Sequence, residues 1–405
     1  MYLSLSDRPT TVKSTMRGRI RVSRLVVTLG VVSLLTDISS ESVSAILPLY
    51  LTAVIGLGTV AYGFVDGLYQ GVSALVRIAG GWVADRSGRP QRVALAGYGL
   101  SMVARVLLLF AGGVASISAV ISADRIGKGL RTAPRDSMIT AASDPAHLGR
   151  SFGVHRTLDT VGAAIGPLLA FGILWAIPDG YHTVLVVSLG FAVLGVVVLA
   201  LYVPRDAGGV VRPPEPIHWR AALTPGLLRL LGVAGVLGLL TVGDGFVYLA
   251  LLDSAGFAAT WFPILYVGTN LAYLALAVPL GRLSDRVGRP RVLVLGHLLL
   301  AGSYLASCAA ASTAGVLVAL ALLGAFYAAT DGVLAAVAAG TVPAELRTSG
   351  IACAQTVVAL ARMGASVGFG VLWFTIGPHR ALVLVAAAVA VAVCAGAPLL
   401  WRRAS

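Results

Sequence analysis

Twelve stretches of this chain are each long and apolar enough to cross a lipid bilayer, and that one property decides most of what it can fold into. A spanning helix needs roughly 20 mostly apolar residues to cover the hydrocarbon core. In the first half such windows fall at about 25–51, 60–84, 92–112, 115–136, 151–177 and 181–203. In the second half they fall at about 228–252, 258–283, 291–311, 314–340, 349–375 and 380–401. These are spans 1 to 12. Span 4 is the least regular, because charges crowd its second half and Pro134 is expected to begin the loop after it. Composition agrees with a membrane-embedded chain: 58% of the 405 residues are hydrophobic and only 12% are charged. Soluble chains carry roughly 25% charged residues, so a soluble enzyme, a disordered chain and a disulfide scaffold are all excluded.

The net charge of +13 does not point to nucleic acid. The basic residues, all Arg except Lys13 and Lys128, sit in short segments between apolar runs, where the positive-inside rule places them. Connections 2–3, 4–5, 6–7, 8–9 and 10–11 are studded with Arg, whereas 1–2, 3–4 and 9–10 carry no charge. Arg380 is the only basic residue expected on the other face. This alternation predicts an inner-membrane protein with both termini cytoplasmic, including a tail over 1–24 and a short one over 402–405. The first apolar run is too long for a secretory leader.

Cys308, Cys353 and Cys394 lie in apolar stretches without CxxC spacing and read as small buried residues. The six histidines have no metal-ligand spacing, and neither GxSxG nor GxxxxGK[ST] occurs. No cofactor, metal or catalytic set is expected. With no nucleotide site, ATP-driven work is not expected.

The chain also repeats itself. Gly81, Asp85, Arg86, Gly88, Arg89 and Pro90 recur 200 residues on as Gly281, Asp285, Arg286, Gly288, Arg289 and Pro290. Arg150 and Gly153 echo in Arg347 and Gly350, and Gly30 to Thr36 echo in Gly235 to Thr241. Three echoes in matching order predict an all-α integral membrane fold of two pseudo-symmetric six-helix bundles, 25–203 and 228–401. A cytoplasmic linker over 204–227, marked by Pro213, Pro214 and Pro216, would join them. Parallel repeats with a site at their interface make a transporter architecture.

The repeated loop resembles the signature loop of the major facilitator superfamily, except that Pro90 and Pro290 take a place where the family often has a basic residue. The resemblance covers nearly the whole chain. It implies alternating access and a conformational latch formed by Gly81, Asp85, Arg86, Gly88 and Arg89 with Asp285, Arg286, Gly288 and Arg289. The plainer alternative is a topology marker. In span 5, Gly162, Gly166 and Pro167 look like the helix-5 motif of the drug/proton antiporter branch, with Ala170 in place of its last glycine; the alternative there is ordinary close helix packing.

A charge at the bilayer centre costs about 2.5–3.5 kcal/mol on insertion scales, so each one needs a reason. Asp37 and Glu41 lie one turn apart on one face of span 1. Burial and like charge both favour their protonated forms, as proton coupling requires. In span 4, Arg125, Lys128, Arg131 and Arg135 fall within about 120° of arc and form a basic stripe. Arg125 resembles the arginine that takes part in proton exchange in antiporters. Two readings stay open: Arg125 pairs with Asp37 and Glu41 and is released by protonation, or the stripe with Lys128 and Arg131 binds an anionic substrate. Asp66, Arg77 and Arg105 are expected to form ion pairs within their own half. Asp159, Asp244 and Asp331 are candidates for the substrate cavity, with Arg362 neutralising one of the last two. Trp175, Trp261, Trp373 and Trp401 read as interface anchors.

The expected function is proton-coupled export of a small organic molecule by a monomeric rocker-switch transporter that contacts protons, substrate and lipid. Proton-coupled uptake or exchange of an organic anion is the alternative. A membrane sensor without transport activity is a distant third.

Overall fold

The computed structural model describes residues 22–144, 147–205, 207, 223–343 and 346–401, and side chains at all of these except 77–87, 348 and 401. Most of the tail over 1–24, most of the linker over 204–227 and the tail 402–405 therefore lie outside the described residues. All regular structure among the described residues is helical. The first half holds α1 (Arg24–Leu49), α2 (Thr59–Ser87), α3 (Pro90–Leu108), α4 (Val114–Ala141), α5 (Leu148–Ala176) and α6 (Tyr181–Tyr202). The second half holds α7 (Pro225–Leu239), α8 (Asp244–Ala255), α9 (Phe262–Val287), α10 (Arg289–Cys308), α11 (Thr313–Gly340), α12 (Arg347–Ile376) and α13 (Pro378–Trp401). Together α7 and α8 make span 7, so twelve spans account for thirteen helices.

Local sequence explains several ends. The Thr224 hydroxyl accepts from the amide of Leu227 at 3.1 Å, with Pro225 at the first helical position of α7, where its missing N–H costs nothing. Ser312 caps α11 in the same way, accepting from Gly315. Gly88 and Gly288, equivalent in the repeat, both take positive φ (61° and 105°) at the turns from α2 to α3 and from α9 to α10. A side chain there would be strained, which is why glycine stands at both.

Two sequence expectations need correcting. Span 4 does not end at Pro134; α4 runs through it to Ala141. Proline costs the helix only the one donor that would meet the Leu130 carbonyl, and beyond it the hydroxyls of Ser137, Thr140 and Ser143 add donors to the carbonyls of Pro134, Asp136 and Ile139 (2.9, 2.9 and 2.7 Å). Span 7 is interrupted at 240–243. There the Val242 amide donates to the Tyr304 hydroxyl (2.8 Å), which donates in turn to the Leu240 carbonyl (3.3 Å). One side chain from α10 thus replaces the helical partners lost at the break.

The repeat is visible in the packing. In the first half α1 packs on α5 and α6, α3 on α4 and α6, and α2 on α4. The second half repeats those pairings as α7 on α12 and α13, α10 on α11 and α13, and α9 on α11. Between halves the symmetric pairs are α2 with α12 and α5 with α9. Large apolar side chains such as Leu201, Val186 and Val391 stay exposed on outer faces, as hydrocarbon contact requires. Nine spans among the described residues are apolar enough to cross a membrane by length and composition alone. The other three, α2, α3 and α4, fall short of that measure; α4 alone carries Asp124, Arg125, Lys128, Arg131, Arg135 and Asp136.

The halves meet at the end remote from the termini. Thr59 donates to the Gly370 carbonyl (3.2 Å), and Phe171 lies on Trp261 with ring centroids 5.2 Å apart. Backbone contact is close enough at Gly67 that a Cβ would come within 2.7 Å of the Met363 carbonyl oxygen.

Candidate functional site

α5 lies directly against α1 because Gly162 and Gly166 leave room for it. A Cβ at these positions would stand 2.5 Å from the Leu34 carbonyl oxygen and 2.8 Å from the Ser42 amide nitrogen. That approach brings Asp159 of α5 next to Asp37 of α1. Arg135 stands 3.8 Å from Asp159 and 3.0 Å from Asp136, and donates to Ser33 at 3.3 Å; Ser33 in turn contacts Nε2 of His155 at 3.0 Å. Arg156 also donates to Asp159, at 3.2 Å. Asp37 therefore sits in a polar network between α1, α4 and α5. Glu41, one turn on, belongs elsewhere: it lines a cavity between the halves, 3.8 Å from Lys128.

The basic stripe of α4 is largely met by its own half. Arg125 lines the cavity, but its guanidinium is held by the adjacent Asp124, with Nε donating at 3.0 Å and Nη2 to the same oxygen, and it stacks 3.9 Å over the Tyr69 ring. Arg105 of α3 approaches the other Asp124 oxygen at 3.4 Å. Arg131 is buried over the Tyr98 ring at 4.5 Å. The partner of Arg125 is thus Asp124, and neither Asp37 nor Glu41 forms an ion pair with it. Asp124 was missed as a site residue, although the Asp-Arg step facing Arg105 on the preceding span was the available signal.

The central cavity, about 290 Å³, takes its other wall from α8, α9 and α11. Asp244 is the first residue of α8, where the helix dipole favours a carboxylate, and Tyr327 donates to it at 2.6 Å. Asp66 does not pair within its own half as expected: it accepts from Ser366 of α12 at 2.6 Å and fills the space a Cβ at Gly243 would need. Gly245 likewise leaves room for the Tyr62 hydroxyl and Pro48. Tyr62, Tyr69, Tyr266 and Tyr327 make the cavity aromatic. Arg105 does pair within its half; the Arg77 side chain lies outside the described residues.

A second cavity of about 340 Å³ adjoins the first at Gln70 and lies mainly within the second half, between α7, α10, α11 and α12. Asp331 lines this cavity, as does Arg362. Arg362 forms no ion pair or hydrogen bond among the described residues, and its buried Nε has no partner. Its nearest aromatic neighbours are the rings of Tyr327 and Phe326, 5.4 and 5.8 Å away.

Of the loop residues expected to latch the halves, Gly81, Asp85 and Arg86 have side chains outside the described set. Asp285 stands 3.8 Å from Arg289, which donates to the Ala336 carbonyl of α11 at 3.4 Å; both are exposed, as is Arg286. Trp175 and Trp261 are both exposed, Trp261 lying on the Phe171 ring, whereas Trp373 packs on Phe246 and Phe369. Among the described residues no group of three His, Cys, Asp or Glu side chains is placed to hold a metal ion.

Comparison with known proteins agrees with this geometry. An uncharacterized MFS-type transporter of Methanocaldococcus jannaschii is 29% identical over 87% of this chain and 89% of its own length. An uncharacterized protein of Mycobacterium tuberculosis is 31% identical over 67% and 68%. A multidrug resistance protein of Proteus mirabilis, MdtH, is 28% identical over 40% and 39%. In fold the chain is similar to the nucleoside transporter NupG, with a TM-score of 0.79, 12% identity and coverage of 93% and 100%. It is also similar to a peptide transporter, POT, with a TM-score of 0.77, 18% identity and 95% coverage of both chains. The family model for the Major Facilitator Superfamily matches residues 29–269 and 245–405, two overlapping stretches that together cover both halves. With paired six-span halves enclosing a polar cavity and that match running almost end to end, the chain belongs to the Major Facilitator Superfamily and is a multi-pass membrane transporter, not an enzyme.

Proposed function

We propose that this transporter couples inward proton movement to the export of a small organic molecule, as in the drug/proton antiporter branch. The observation that carries the proposal is the Asp37–Asp159 contact across α1 and α5. Two carboxyl groups set side by side cannot both ionise cheaply, so the pair can hold a proton between them, and Arg135 stands ready to meet the charge when that proton leaves. Glu41 and Lys128, one turn nearer the cavity, and Arg125 beside Asp124 give the proton a charged route towards substrate. The resemblance of part of the chain to a multidrug resistance protein supports export.

In this reading the halves 25–203 and 228–401 rock about the central cavity, joined by a cytoplasmic linker over 204–227. Both termini lie in the cytoplasm and the protein acts as a monomer in the inner membrane. The contacts of α2 with α12 and of α5 with α9 at the far end then belong to an inward-open state. The paired loops at Asp85 and Asp285 latch the opposite, outward-open state, in which the cytoplasmic ends come together.

The test is transport in everted vesicles with a panel of organic dyes and acids. An imposed proton gradient, acid inside, should drive accumulation, and Asp37→Asn should abolish it. Accumulation that follows the protons outward, or flux indifferent to the gradient, would sink the antiport mechanism.

A further inference from the structure

Five cationic side chains are buried in or near the interior, and four of them have an assigned partner. Arg105 and Arg125 share Asp124, Arg135 is held by Asp136 and Asp159, and Arg131 lies closely over Tyr98. Arg362 differs. It projects from α12 into the cavity of about 340 Å³, has a buried Nε without a partner, and makes no ion pair among the described residues. A guanidinium presents five donors in a planar fork that matches a carboxylate, and burying such a group unpaired is costly. The cavity is of the size of small-molecule sites, roughly 300–1,000 Å³.

We infer that this second cavity binds the anionic group of the transported molecule, with Arg362 as its counter-charge, and that the substrate class is small organic monoanions. The inference rests on the reading of the chain as a carrier of small organic molecules. The surroundings define the chemistry further. Thr330 and Thr241 already donate to the carbonyls of Phe326 and Leu237, at 2.8 and 2.9 Å, so their hydroxyls are committed. Gln70 and Gln355 also line the cavity and supply amide donors beside Arg362. Asp331 lines the same wall and Asp244 lies nearby on α8. With both of these carboxyls protonated the guanidinium keeps one free positive charge, which matches a single added negative charge and not two. A monocarboxylate fits; phosphate and dicarboxylates do not. Gln70 borders both cavities, so the remainder of the molecule extends from Arg362 towards the tyrosines of the central one. The anion site therefore lies on α12 in the second half, away from the α4 stripe whose charges are already met.

The experiment is thermal unfolding of the full chain, purified in detergent, with butyrate, benzoate and naphthoate. Their amides serve as uncharged controls and phosphate as a dianion. Ligand binding to the folded state raises the melting temperature. At least one monocarboxylate should do so where its amide and phosphate do not. Arg362→Gln should remove that shift, whereas Arg229→Gln, a half-buried charge on α7 outside this cavity, should keep it. Equal shifts from acid and amide, a shift that survives Arg362→Gln, or no shift from any of the three acids overturns the inference. If Arg362→Gln does not fold, Asp331→Asn decides: a larger carboxylate shift supports the site, and an unchanged profile overturns it. Binding is measured here without a gradient, so its outcome is separable from that of the export mechanism. An Arg362-dependent shift without proton-driven flux leaves the site standing and removes the antiporter, and the converse result removes only the site.

Discussion

The hydroxyl of Ser366 on α12 donates to the carboxylate of Asp66 on α2 across 2.6 Å, the shorter of the two hydrogen bonds that join the halves among the described residues. A hydrogen bond to a charged group contributes about 1.5–3 kcal/mol. Ser366→Ala should therefore weaken the closure of the far end by roughly that amount and shift the population towards the state open there. Distance distributions between spin labels on α2 and α12 at that end would report the change. Distributions identical to wild type would show that the bond does not hold this closure.

Asp124→Asn should be among the most damaging single changes in the first half. It leaves Arg105 and Arg125 buried without their shared counter-charge, and breaking a buried pair in this way costs about 3–5 kcal/mol. Asp124→Asn combined with Arg125→Gln should recover part of the loss, because one uncompensated charge is removed. Melting temperatures of the single and double variants give the comparison, and a double variant less stable than the single would refute the shared-ion account.

Enlarging Gly162 or Gly166 should separate α1 from α5. Gly162→Ala places a methyl 2.5 Å from the Leu34 carbonyl oxygen, a backbone atom that cannot swing aside. Overpacking of this kind costs about 1–3 kcal/mol, and it should also disturb the Asp37–Asp159 contact. A lower melting temperature with impaired proton-driven flux is expected for Gly162→Ala. At Gly172 on the same helix nothing stands within 4 Å, so Gly172→Ala should be neutral in both measurements.

Tyr304→Phe should loosen the break in span 7. The variant loses the acceptor for the Val242 amide and the donor to the Leu240 carbonyl, and each buried group left unsatisfied costs about 1–3 kcal/mol. Hydrogen exchange at Val242 should accelerate; unaltered exchange would mean that Tyr304 does not hold the joint.

The twelve spans and the twofold repeat were readable in the chain because bilayer thickness imposes a length on apolar runs and an echoed loop leaves matching residues. The break at 240–243 was not. Leu239, Leu240 and Val242 continue an apolar run without interruption, and the interruption depends on Tyr304, some 60 positions away. Asp37, Glu41, Arg125 and Lys128 stand out in the sequence as charges within apolar spans, but their partners were not legible. Helical spacing gives the face a residue occupies, whereas the choice of counter-charge depends on how neighbouring helices rotate against it. Arg125 turned to the adjacent Asp124, and Asp66 reached across to the other half. Asp331 and Arg362 proved to line a separate cavity, which pattern within one span cannot reveal.

Span 7 consists of two rigid rods, of 15 and 12 residues, hinged on four residues whose amide and carbonyl are held by one tyrosine of a neighbouring helix. A rod hinged in the middle of the membrane can swing one arm while the other stays docked. Thr241, within that hinge, borders the cavity of Arg362, and Asp244, just after it, borders the cavity of the tyrosines. Whatever fills either chamber therefore touches the same joint, and two compartments share one mechanical element.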